Sequence, residues 1–174
     1  MTPQSLDSLK WIHSSSSPIL LLPRALAKDW QGQDDVRYDL ARHGTEPAFP
    51  ICVGRGAGLV LEDGFHTTWW PLPELTGARG RQTGGLLIRW LWAKDHESVL
   101  EAVRNIPISA YEEESFTLET LDGTLMLFEA RHSALEVETA IPIFLVGGSY
   151  VVMSANVQPD EDTCLLVHRL QLIH

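Results

Sequence analysis

Leu86-Leu87-Ile88-Arg89-Trp90-Leu91-Trp92 is the stretch on which the fold turns. Read as a strand, it sets Leu86, Ile88, Trp90 and Trp92 on one face and Leu87, Arg89 and Leu91 on the other. Apolar residues on both faces mark a central strand covered on both sides, because a strand with one wet face alternates. By this periodicity Trp90 and Trp92 belong to the core. Arg89 is the exception. A guanidinium there needs a carboxylate partner, a route to the sheet edge or a ligand to offset its desolvation. A buried ion pair that fixes the sheet is favoured over a binding pocket around Arg89, and both stay open.

Downstream, Asp95 caps an amphipathic helix from about His96 to Asn105. Val99, Val103 and Ile106 recur at helical spacing with Leu100 alongside, and Pro107 ends it. Upstream, Ile19–Leu22 is a short strand stopped by Pro23, which suits the first turn of a helix over Arg24–Trp30. A second short helix is predicted over Asp34–Arg42, capped by Asp34 or Asp35, with Val36, Leu40 and Tyr38 turned inward. Ile51, Val53, Leu59 and Leu61 flank Gly54-Arg55-Gly56 as a hairpin. Thr67–Pro73 contains two prolines and is at best an edge strand. Gly77–Gly84 reads as a mobile loop.

From Ser115 onward the pattern is β. Phe116 and Leu118 alternate with polar positions, Asp122-Gly123 is a two-residue hairpin signal, and Leu125–Ala130 returns. Glu136–Leu145 is a weaker strand, and Tyr150–Val157 with Cys164–Leu172 forms a last hairpin. The fold class is therefore α+β. A mixed part, residues 1–110, holds the short helices, the central strand and the amphipathic helix. An antiparallel, sandwich-like β part follows over residues 111–174, the two forming one compact unit.

The net charge of −10 is unevenly spread. Residues 1–110 carry 11 Lys and Arg against 12 Asp and Glu, a net of −1; residues 111–174 carry 2 against 11, a net of −9. Such a field repels nucleic acid and anionic membrane and attracts a basic partner. The apolar runs near Pro18–Pro23 and Gly85–Ala93 are far short of the roughly 20 residues a spanning helix needs. The first is also too short for a secretory leader and is bracketed by prolines, so a cytoplasmic chain is expected. Cys52 and Cys164 make no disulfide framework and read as buried thiols.

Catalytic signatures are weak. The histidines are scattered singly, without metal-ligand spacing, so no metal is expected. Gly54–Gly58 lacks the third glycine and the following helix of a nucleotide loop, and no cofactor is implied. Glu112-Glu113-Glu114 and Asp160-Glu161-Asp162 fall in predicted loops, where solvated acids are ordinary, and nothing marks a desolvated, shifted pair. A thiol nucleophile at Cys164 with His168 as a spatial neighbour is left open but unsupported. Trp69 and Trp70 cannot both point inward from an extended segment, so one is expected to meet solvent or a partner.

Several short motifs in order and spacing resemble one family. These are Trp11-Ile12, Ser17–Pro23, Trp30 with Gly32, Asp35–Ala41, Val53-Gly54 through Gly58–Leu61, Gly84–Trp90, Asp122-Gly123, Gly148–Val152, Gln158–Asp162 and Leu165–Leu170. Together, from about Trp11 to Leu172, they are similar to the immunity protein 21 family. The Ser14–Ser17 run and a longer Gly77–Gln82 loop depart from its pattern. The resemblance implies a non-catalytic bacterial protein that binds and neutralises a cognate toxin. On that reading Glu112–Glu114 and Asp160–Asp162, with Trp69 or Trp70, form the expected partner face, and a basic nuclease-type toxin suits their charge. The alternative is a small-ligand-binding or regulatory β-domain with its pocket around Arg89 and the tryptophans. Oligomeric state stays open.

Overall fold

The computed structural model describes residues 6–14, 16–62, 64–133, 138 and 140–173. Among these, eleven strands form two antiparallel sheets. In chain order they are β1 (Ile12–His13), β2 (Ile19–Pro23), β3 (Ala48–Val53), β4 (Gly56–Leu61), β5 (His66–Pro71), β6 (Gly84–Trp92), β7 (Glu112–Thr120), β8 (Thr124–Glu129), β9 (Ile141–Phe144), β10 (Gly148–Asp160) and β11 (Thr163–Leu172). The helices are α1 (Arg24–Ala27), α2 (Tyr38–Arg42) and α3 (His96–Arg104). One sheet has the order β1-β5-β6-β11-β10-β7 and the other β3-β4-β2-β8-β9. Each draws strands from both sides of residue 110. The architecture is α+β.

The sheets face each other across one apolar layer, in which Leu21, Leu59 and Leu127 meet Trp69, Leu87, Tyr150 and Val152. Both outer faces are also covered. α3 lays Val99, Ala102 and Val103 on Leu86, Ile88, Leu165 and Val167. On the far side, Ala27, Trp30 and Ala41 cover Leu20, Leu22, Val60 and Phe128. This explains the two continuous apolar runs in the sequence. β2 lies between β4 and β8 and β6 between β5 and β11, each with an apolar layer on both faces. Asp95 caps α3 as the sequence indicates, its carboxylate accepting from Ser98 N at 2.8 Å.

Several expectations are corrected. The first helix is one turn, ending at Ala27 rather than Trp30. The second starts at Tyr38, and Val36 and Leu40 are 91% and 66% exposed. Residues 32–37 instead wind around the Asp35 carboxylate, which accepts from Gln31 N at 3.1 Å and Arg37 N at 3.0 Å. The helix therefore begins four residues late, and Tyr38 and Ala41 form the inward side. Asp122-Gly123 is not a hairpin turn, since β7 pairs with β10 while β8 pairs with β2 and β9. It carries the chain from one sheet to the other. Gly123 has φ +78°, and a Cβ there would lie 1.8 Å from the Leu145 carbonyl oxygen. The segment 77–84 holds a single 3-10 turn, Ala78–Gly80. Of the strand expected over Glu136–Leu145, residues 136, 137 and 139 lie outside the described residues, and Ile141–Phe144 is β9.

Trp92 is corrected too, at 44% exposed. β6 pairs Trp90 with Leu165 but Trp92 with Cys164, so Leu91 is an extra residue on β6. That bulge breaks the alternation and turns the strand end out of the core.

Candidate partner-binding face

The strands of the five-stranded sheet are at most six residues long, whereas β10 has 13 and β11 has 10. The six-stranded sheet therefore overhangs its partner. Where the apolar layer ends, the inner face becomes polar. Arg89, wholly buried, donates from Nη1 to the Pro47 carbonyl at 3.0 Å and from Nη2 to the Glu62 carbonyl, with its guanidinium 4.5 Å from the Phe65 ring centroid. It thus bridges from β6 to the ends of β3 and β4. Its Nη1 also lies 3.0 Å from His168 Nε2, and His168 Nδ1 lies 2.7 Å from Ser154 Oγ.

A serine hydroxyl on an imidazole invites a hydrolase reading, but the polarity is reversed. Arginine only donates, so Nε2 must supply its lone pair and Nδ1 carries the proton. His168 therefore donates to Ser154 and has no lone pair with which to take the hydroxyl proton. Burial, reinforced by the Arg89 charge, holds the His168 pKa well below its ordinary value and keeps it neutral. Cys164 is no partner for this imidazole: four residues along one strand put it about 13 Å away. Arg89 is wholly buried, and it lines none of four hollows found among the described residues. A hollow of about 630 Å3 lies elsewhere, lined by residues that include Pro23, Leu26, Cys52, Arg55 and Leu121.

The acidic residues sit on the overhang. Glu112, Glu113 and Glu114 are not in a loop but in β7, the edge strand, where Ser154 pairs with Glu112 and Met153 with Glu113. They line a hollow of about 350 Å3 together with Ser154, Asn156 and Leu166. Asp160, Glu161 and Asp162 are exposed in the β10–β11 turn, where Asp160 Oδ1 accepts from Asp162 N at 2.9 Å. From Ser154 to Asp160 the strand advances about 20 Å, so hollow and tip are two ends of one surface. Trp92 stands beside the tip, its Nε1 3.3 Å from the Glu161 carbonyl oxygen.

Trp69 and Trp70 lie elsewhere. Trp69 is 8% exposed, packed in the inter-sheet layer with its ring over Gly85, where a Cβ would come within 2.5 Å of it. Trp70 is half-buried on the opposite face, in a groove with Leu72, Leu86 and Val103. The exposed aromatic that joins the acids is Trp92. Its only signal in the sequence was position, at the end of the run and just before the polar Lys94-Asp95. Among the described residues no three His, Cys, Asp or Glu side chains gather as metal ligands. Two histidines do meet: His13 and His66, opposed across β1 and β5, bring their Nδ1 atoms into contact.

No curated protein and no solved structure matches this chain. The sequence model of one family, described as immunity protein 21, matches residues 10–163. That description carries a toxin-neutralising, non-catalytic role, in keeping with a serine–histidine pair whose proton points the wrong way for catalysis. With so much of the sequence matched, the chain belongs to the immunity protein 21 family.

Proposed function

We propose that this protein is a cytoplasmic antidote that seats its acidic overhang in the basic substrate cleft of a nuclease-type toxin. The observation that carries this reading is the placement of six carboxylates, exposed but for the half-buried Glu114, with a hollow and an exposed tryptophan on one stretch of sheet. Carboxylates on such a surface steer a basic partner into encounter and mimic the charge of the phosphates it would otherwise bind. Trp92 supplies the apolar anchor that acids alone lack.

The test replaces Glu112, Glu113, Glu114, Asp160, Glu161 and Asp162 by Ser and measures capture of the toxin domain encoded beside this chain. Folding should persist, because these side chains are outside the apolar layers. The association rate at low salt should fall at least about tenfold and lose most of its salt dependence. Unchanged rate and affinity at low ionic strength would show that toxin binds another face.

A further inference from the structure

β1 is a strand of two residues, and among the described residues it pairs with β5, through Ile12 with Thr67 and His13 with His66. The second pair places two imidazoles side by side, with Nδ1 of each directed at Nδ1 of the other. The rings meet edge to face at 73°. His66 is half-buried and braced on its other side by Trp90, centroid to centroid 5.3 Å, while His13 is exposed. Two nitrogens aimed at one point need something positive between them, because two lone pairs in contact repel. A shared proton is one solution. A cation held by both nitrogens, with each ring then carrying its proton on Nε2, is another.

We propose that His13 and His66 form a two-histidine site for a borderline divalent transition-metal ion of the zinc, nickel or copper class. Imidazole is the nitrogen ligand these ions favour, and affinity among them rises toward copper. Two bonds of about 2.05 Å at a tetrahedral angle need nitrogens about 3.3 Å apart. A small opening of the exposed His13 ring supplies that distance. Water completes the coordination from the open side. The bound ion clips the amino-terminal segment, through β1, to the edge of the six-stranded sheet.

The experiment titrates the full chain with ZnSO4 by calorimetry at pH 7.5, and separately with CuCl2 while following tryptophan emission. Trp90 borders His66, so a paramagnetic ion held there quenches it. One equivalent should bind, with saturable quenching and a rise in Tm. His13→Gln, at an exposed position, should keep the fold and lower affinity at least about 10–100-fold, no less than loss of a supporting residue costs. His66→Gln should do the same, and His43→Gln, at a distant exposed histidine, should change nothing. Absence of saturable binding, or equal affinity and quenching in His13→Gln, would overturn the site.

Discussion

His168 has no route to solvent and no acid beside it among its described contacts; it is held neutral between a donor and a hydroxyl. That has a consequence for stability. The folded imidazole resists protonation, while in the unfolded chain it takes a proton near its ordinary value of 6.5. The contribution is therefore complete above about pH 6.5 and is lost as pH falls below it. The steepest slope expected from His168 is about 1.4 kcal/mol per pH unit, with His66 acting in the same direction. Urea denaturation from pH 7.5 to 5 should show this decline, and His168→Gln should flatten it. An equal slope in that variant would place the acid sensitivity elsewhere. Arg89→Met tests the neighbour: two buried carbonyls lose their donor, for an expected loss of about 2–5 kcal/mol by the same method. Arg89 was legible as a buried cation. Its carbonyl partners at Pro47 and Glu62 were not, because they lie at the ends of strands in the other sheet and no local pattern announces them.

At the scale of elements, legibility follows how local the cause is. β2, β6, α3 and the β10–β11 hairpin were readable because their burial or capping leaves a periodic trace in their own residues. Asp95→Ala should cost about 1 kcal/mol in urea denaturation, the ordinary worth of such a cap. α2 was misphased because Asp35 captures the backbone before the helix can start, and Val36 and Leu40 gave an apolar spacing that tertiary structure leaves in solvent. Asp122-Gly123 has the chemistry of a hairpin turn, and only long-range pairing decides that it crosses between sheets. Gly123→Ala meets both a positive φ and the Leu145 carbonyl. A loss of about 1–3 kcal/mol or more is expected in thermal or urea unfolding.

At the scale of the whole molecule, the charge asymmetry was plain in the sequence but its location was not. Glu112–Glu114 were placed in a loop because the β pattern was read only from Ser115 onward. In the structure they open the edge strand, where between Val151 and Met153 a single β10 residue faces three of β7, an irregularity that keeps the strand in the sheet. Trp92 likewise joins the acids only because a bulge on β6 and a long hairpin end at the same place. If that juxtaposition forms the contact, Trp92→Ala should weaken toxin binding by about 2 kcal/mol or more, leave Tm nearly unchanged, and act mainly on the dissociation rate. Surface plasmon resonance and calorimetry would separate these effects.

The position of β11 between β6 and β10 bears on how the molecule is born. Some 70 residues separate the end of β6 from the start of β11. At about 5–20 residues per second, a ribosome takes roughly 4–14 s to deliver the missing centre. Throughout that interval β6 lacks one neighbour, and its open edge is available to other chains. A partially translated copy therefore has neither a closed sheet nor the long hairpin that carries Asp160, Glu161 and Asp162.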